Sequence, residues 1–267
     1  MSRLISGAAL DIGRNRKRPT NQDRLAVFEP LAPDCPDHLY LVCDGMGGHL
    51  HGEIASGIAA EEIPRAYRVA RRHGTVEEAL RAAVEEAHRA IKNRSENRGL
   101  AGRMGTTVVV AVVVGEALTV ANVGDSRAYL ARGGRIRQIS KDHTRAAEVK
   151  ELGLEDDLAH IGRSVLTRSL SAGREKVEPD VFFEQFRDGD AIILCSDGLW
   201  SSVAVTSILH VVDQLPPAVA ADKLVQMANR AGGSDNISVI VVRRGSRPKD
   251  NVEDDTGEMR LSSPRPA

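Results

Sequence analysis

The chain has 267 residues, 42% of them hydrophobic, enough to bury a sizeable core as one large domain or two small ones. With 36 basic against 37 acidic residues the formal net charge is −1, which excludes a bulk electrostatic pull toward nucleic acid or an anionic membrane. Aromatics supply only 3%, so Val, Ile, Leu and Ala must pack the interior. Three cysteines without paired spacing predict a reduced, cytoplasmic setting. The first ten residues lack the apolar core and small-residue cleavage site of a signal peptide. The longest apolar run, Val108 to Val114, is too short to span a bilayer.

In chain order, residues 5–29 predict a hairpin around the basic turn Arg14-Asn15-Arg16-Lys17-Arg18-Pro19. A strand ending at Asp44 leads into the glycine-rich turn Gly45-Met46-Gly47-Gly48-His49 and a helix over 53–72, with Ile54, Ile58 and Ile63 near one face. A second helix starts at Thr75, where Glu78 completes a capping box, and Val76, Leu80, Ala83, Val84, Ala87 and Ile91 form its apolar stripe. Strands follow at 106–114, 117–123, 128–131 and 135–139, the last two joined at Gly133-Gly134. Residues 142–175 read as a polar surface excursion with a short helix. Strands return at 181–186 and 191–195, then helices at 201–212 and 217–231, then a strand at 237–243. From Gly245 the chain is too polar to order itself, which predicts a folded unit over 1–244 and a disordered tail over 245–267. Strands joined by tight turns, with helix pairs inserted, predict an α+β fold of antiparallel sheets faced by helices.

Four aspartates stand where apolar runs meet turns. Leu39-Tyr40-Leu41-Val42-Cys43 ends in Asp44-Gly45, and Ala191-Ile192-Ile193-Leu194-Cys195 ends in Ser196-Asp197-Gly198. Leu118 to Val123 leads into Gly124-Asp125-Ser126, and Asp235-Asn236 opens the run Ile237 to Val242. A carboxylate at the lip of a buried strand is costly unless something cationic meets it. Four together would make an oxygen-rich site for hard divalent cations.

Other readings compete. The glycine-rich turn resembles a dinucleotide-binding loop, but Leu50 stands where the third glycine is required. Each aspartate alone is an ordinary turn former. His49 and His51 do not have zinc spacing, and His143 could cap a helix. The cluster Arg14, Arg16, Lys17 and Arg18 reads as a solvated turn or as a phosphate clamp, since a guanidinium fork matches two phosphate oxygens. Arg127 could instead hold the carboxylate of Asp125.

The motifs Asn21-Gln22-Asp23, Asp44-Gly45-Met46-Gly47-Gly48-His49, Gly105-Thr106-Thr107, Gly124-Asp125-Ser126-Arg127, Lys141-Asp142-His143-Thr144, Leu166-Thr167-Arg168, Cys195-Ser196-Asp197-Gly198-Leu199-Trp200 and Ser234-Asp235-Asn236-Ile237 occur in the order of one family. The chain resembles the metal-dependent phosphatases of the phosphatase 2C (PPM) type, in their bacterial form, over about residues 5–243. That resemblance implies a four-layer αββα sandwich of two antiparallel sheets flanked by helix pairs. It implies hydrolysis of phosphoserine and phosphothreonine in proteins by a metal-bound hydroxide, with Mn²⁺ or Mg²⁺, reversing a bacterial Ser/Thr kinase. By motif, Asp44, the Gly45 carbonyl, Asp197 and Asp235 would hold two ions, and Asp125 with Asp197 a weaker third. Asp23 would act through metal-bound water, Arg18 would bind phosphate, and His49 could donate the proton. Counting back from Asp23 selects Arg18, whereas counting forward from Asp11-Ile12-Gly13 selects Arg16. The implied partners are phosphoproteins, a Ser/Thr kinase among them, with no nucleic acid and no membrane span, for a monomer. A catalytically silent phosphoprotein-binding module is the alternative on the same scaffold.

Overall fold

The computed structural model describes residues 3–15, 20–46, 50–97, 104–153 and 165–245. Its strands are β1 (Leu4–Asp11), β2 (Asp23–Phe28), β3 (His38–Met46), β4 (Gly105–Thr106), β5 (Val108–Val114), β6 (Ala117–Val123), β7 (Arg127–Arg132), β8 (Arg135–Gln138), β9 (Leu170–Ser171), β10 (Asp180–Gln185), β11 (Ala191–Cys195) and β12 (Ile237–Arg244). The helices are α1 (Leu50–Arg71), α2 (Val76–Glu96), α3 (Arg145–Glu151), α4 (Asp197–Trp200), α5 (Val205–Gln214) and α6 (Pro217–Arg230). One antiparallel sheet runs β1-β12-β11-β7-β8, and the other β10-β6-β5-β3-β4-β9 with β2 added beside β3.

Strand parity builds the layers, because successive side chains on a strand face opposite ways. On β3, Leu39, Leu41 and Cys43 pack with Ile63, Leu80, Val84 and Ile91 of α1 and α2. Tyr40 and Val42 turn the other way and meet Leu130, Ile192, Leu194, Ile240 and Val242 of the opposite sheet. On that sheet Ile193, Cys195, Val239 and Val241 face Ile208, Val212, Leu224 and Ala228 of α5 and α6. Two-sided burial explains why these strands read as continuous apolar runs, each large aliphatic side chain contributing about 1.5–3 kcal/mol. The result is the α+β sandwich, helices outside and two sheets inside.

Most predicted elements stand within a few residues. Thr75 and Glu78 form the capping box, and Gly133 and Gly134 turn the β7–β8 hairpin with φ of 56° and 70°. Residues 106–114 are two strands, β4 and β5, broken at Thr107. The helix expected over 201–212 is α5, which starts at Val205 and runs to Gln214, and the single-turn α4 stands before it at Asp197–Trp200. The predicted hairpin over 5–29 is incorrect: β1 pairs with β12 and β2 with β3, so their connection crosses from one sheet to the other. Local alternation cannot distinguish a turn within a sheet from a crossing between two. Among the described residues no helix is long and apolar enough to cross a membrane. Residues 246–267 of the expected tail lie outside the described residues.

Candidate metal centre

The same parity that alternates core and helix contacts carries polar residues to one end of the layer between the sheets. Beyond Tyr40 and Val42 on β3 comes Asp44, and β2 sets Asp23 directly opposite it in the antiparallel ladder. Like charges directly opposed across a ladder destabilise it. From the other sheet, Ser238 continues the parity of Ile240 and Val242, and its hydroxyl donates to Asp23 Oδ2 at 2.5 Å. Asp197 opens α4 just past β11, and Asp235 lies two residues before β12. Asp125 occupies the turn in which the chain crosses from β6 in one sheet to β7 in the other.

Backbone contacts fix these positions. Thr107 Oγ1 accepts from the Asp44 N–H at 3.1 Å, and the Asp44 carbonyl accepts from the Thr107 N–H and the Thr106 hydroxyl, both at 2.9 Å. Thr107 Oγ1 also lies 2.7 Å from Ser126 Oγ, joining Asp44 to the Asp125 turn. The Gly45 N–H donates to the Gln22 carbonyl at 3.2 Å. A Cβ on Gly45 would sit 2.3 Å from the Gly52 carbonyl oxygen, so only glycine lets the first turn of α1 close over this position. Asn236 Oδ1 accepts from the Gln22 N–H while its amide donates to the Ile12 carbonyl, both at 2.8 Å, tying the Asp235 loop to the strand crossing.

The electrostatics show five carboxylates acting on one another. Burial chiefly, then the negative charges of Asp23, Asp197, Asp125 and Asp235, push the Asp44 carboxyl well above the usual range. Burial raises Asp23 to about 7 against the Ser238 and Ser196 hydroxyls, with Asp197 and Asp235 adding to the rise. Asp125 also rises to about 7, from burial, Asp197 and Asp142. Asp23 Oδ1 is buried with no hydrogen-bond partner among the described residues. Buried acids of this kind are stabilised by cations. The donor set is all oxygen, which suits Mg²⁺ or Mn²⁺. Among the described residues no three acidic, His or Cys side chains close on a single point.

The structure therefore brings Asp23, Asp44, Asp125, Asp197 and Asp235 to one mouth, with Gly45 beside them. Arg18 and its alternative Arg16, and His49, lie outside the described residues. Two local expectations change. The Arg127 guanidinium bonds both Asp142 carboxylate oxygens and the Tyr129 hydroxyl rather than Asp125. Thr144, not His143, caps α3 by accepting from the Ala147 N–H. His143 instead grips Gly124 at both backbone groups, donating its backbone N–H to the Gly124 carbonyl at 2.9 Å and accepting the Gly124 N–H at ring Nδ1 at 3.0 Å. Its Nε2 then carries the proton and donates to Asp180 Oδ2 at 3.1 Å. The supporting residues Thr107, Ser238, Asn236 and Trp200 stood inside or beside the sequence motifs, but nothing local marked what each would touch.

The family model described as Protein phosphatase 2C matches residues 13–152. The chain is 35% identical over 243 residues to the serine/threonine phosphatase stp of Listeria welshimeri, covering 88% of this chain and 95% of that one. The chain belongs to the protein phosphatase 2C family. Its fold overlays the crystal structure of the Mycobacterium tuberculosis serine/threonine phosphatase PstP/Ppp with a TM-score of 0.79 at 32% identity, over 91% of this chain and 99% of that one. A structure of the PstP catalytic domain in complex with two manganese ions has a TM-score of 0.77 at 32% identity, with the same coverage. As a bacterial-type member of the phosphatase 2C family, this chain is a metal-dependent protein-serine/threonine phosphatase.

Proposed function

We propose that the chain hydrolyses phosphoserine and phosphothreonine in phosphoproteins of the cytoplasm, reversing a Ser/Thr protein kinase that is itself among its partners, and that it works as a monomer. The carrying observation is the opposed pair Asp23 and Asp44 on one ladder, both acids raised by burial and by the other carboxylates at the mouth. Asp44, the Gly45 carbonyl, Asp197 and Asp235 would hold two ions, Mn²⁺ or Mg²⁺, and Asp125 with Asp197 a weaker third. Bound there, the cations would supply Lewis-acid charge and make water a stronger nucleophile at neutral pH.

The remaining work belongs to the chain. Asp23, fixed at Oδ2 by Ser238, offers Oδ1 as an acceptor to orient that water. Attack on phosphorus runs in line with the departing Ser or Thr oxygen, so no covalent intermediate on the protein is needed. Arg18 would bind two phosphate oxygens through its guanidinium fork, and His49 would return a proton to the leaving oxygen.

The test is phosphate release from a phosphothreonine peptide, with Mn²⁺ and then with excess EDTA, beside Asp197→Asn. Metal-dependent turnover that disappears in the variant supports the assignment. A folded protein that releases no phosphate with any divalent cation would be the silent binding module instead.

A further inference from the structure

Trp200, the sole tryptophan of the chain, ends the single turn that Asp197 begins. Its indole N–H donates to the Asp125 carbonyl at 2.9 Å. One short element thus carries a carboxylate at its first residue and a hydrogen-bond donor to a second carboxylate's backbone at its last. The element has little room to shift. A Cβ on Gly198 would sit 2.0 Å from the Asn236 carbonyl oxygen, so α4 lies directly on the backbone beside Asp235. The Ser201 N–H closes the turn onto the Asp197 carbonyl at 2.9 Å. The ring is held as well, with the Arg127 guanidinium 3.5 Å from its centroid. Arg127 is immobilised in turn by Asp142, whose Oδ1 also accepts from Gln138.

From this geometry we infer that Trp200 is a positioning residue: it fixes Asp125 against Asp197 and so sets the affinity of the outer divalent cation that these carboxylates share. The inference rests on the assignment of that ion to Asp125 and Asp197 under the proposed function. Asp44 and Asp235 take their positions from Thr107, Thr106 and Asn236, and Asp197 is held by the seating of Gly198 on the Asn236 backbone, so the inner pair of ions rests on contacts other than the indole N–H. Groups that orient metal ligands typically change affinity 10–100-fold when removed. Trp200 also reaches Asp125 through a main-chain carbonyl, which moves the whole turn rather than one rotamer.

The experiment is a Mn²⁺ titration of the full chain, bound ion counted from the electron paramagnetic resonance of free Mn²⁺, for wild type, Trp200→Phe and Asp125→Asn. The expected result is two tight ions and one weak ion in the wild type. Trp200→Phe should weaken only the third, by about 10–100-fold, and Asp125→Asn should lose it. If Trp200→Phe fails to fold by circular dichroism, benzothienylalanine at position 200 replaces it, keeping the ring and removing only the N–H donor. A weak site unchanged without the indole N–H, yet lost in Asp125→Asn, overturns the role of Trp200 alone. All three ions weakening together also overturns it, since a merely structural tryptophan would loosen the whole mouth. A weak site that persists in Asp125→Asn overturns the Asp125 assignment, and this inference with it.

Discussion

Asp37 and Asp23 are buried to a similar depth, 4% and 1% exposed, yet the fold treats them in opposite ways. Asp37 accepts from the Tyr67 hydroxyl at 2.6 Å and from Arg71 Nε at 2.9 Å. Asp190, equally buried, takes both oxygens of its carboxylate to Arg132 and a further bond from the Arg187 N–H. Asp23 receives only neutral hydroxyl donors at its side chain and faces Asp44 across the ladder. The chain can bring a guanidinium to a buried acid, and does so away from the mouth. At the mouth, among the described residues, Asp23 and Asp44 oppose each other across the ladder with both carboxyls raised by burial and by neighbouring acids, a charge balance that a bound cation would relieve. Function there is set against stability, as expected of a site built for a bound ion.

Substituting one acid of each kind breaks the comparison most sharply. Asp44→Asn should lower turnover with Mn²⁺ by about 10³-fold or more, since a metal ligand supplies several kcal/mol of transition-state stabilisation. In EDTA at pH 7.5 the same variant should melt above wild type, because the amide never has to carry the proton that burial and its neighbours force on Asp44. Asp37→Asn should do the reverse. It removes a charge-assisted bond from Arg71, costing roughly 2–3 kcal/mol. For a chain of this size that is a fall of about 4–12 °C in melting temperature, while the Mn²⁺-loaded kcat should stay within about twofold. Thermal melts with and without EDTA, beside phosphate release, separate the two. If Asp44→Asn melts below metal-free wild type, the mouth is not repulsive and the contrast fails.

A pH series sharpens the same point at Asp23. Its folded carboxyl is raised to about 7 from 3.8, so between pH 3.8 and about 7 the native state holds a proton that the unfolded chain has released. Stability from this group is therefore present at low pH and is lost as pH rises toward about 7. Asp23→Asn should be stabilised over wild type in EDTA at pH 8, by at most about 4 kcal/mol because neighbouring acids share the penalty. The difference should shrink steadily as pH falls to 5. His143 and His88, both lowered chiefly by burial, give the opposite slope below pH 6.5. They are common to both proteins and cancel in the difference. A gap that widens as pH falls would show that Asp23 is ionised and stabilised in the metal-free fold.

Much of this was legible in the chain. The strand-end carboxylates Asp44, Asp125, Asp197 and Asp235 stood out because an acid beside a two-sided apolar run has no ordinary reason to be there. The capping box at Thr75 and the Gly133-Gly134 turn are local and needed no tertiary information. Asp23 was invisible to that logic, since Arg24 separates it from the short run Leu25-Ala26-Val27-Phe28, and the family motif alone marked it. What escaped was non-local. Whether β1 and β2 form a hairpin depends on which sheet each joins, and His143 clamps Gly124 across 19 residues of sequence. The partner of Trp200 lies 75 residues away, and no spacing rule reaches that far.

The smallest expected effect lies between the two kinds of aspartate, at Thr107. Its hydroxyl serves both sides of the mouth, accepting from the Asp44 N–H and meeting Ser126 beside the Asp125 turn. Thr107→Val keeps the branched shape against Gly124, where a Cβ would lie 2.6 Å from the Thr107 side chain. What it removes is one acceptor for a backbone N–H and one link between the sheets, a loss of about 1–3 kcal/mol. The Asp44 carbonyl keeps both its donors, because the Thr106 hydroxyl and the Thr107 N–H are untouched. The Asp44 side chain should therefore stay near its ligand position, with kcat lowered by about 10-fold, the low end for a group that supports a metal ligand, at saturating Mn²⁺ and the KM for phosphopeptide little changed. A loss as large as that of Asp44→Asn would mean that the hydroxyl itself takes part in the chemistry. No change in kcat would mean that the ladder alone holds Asp44, and that the two sheets need no polar pin at this end.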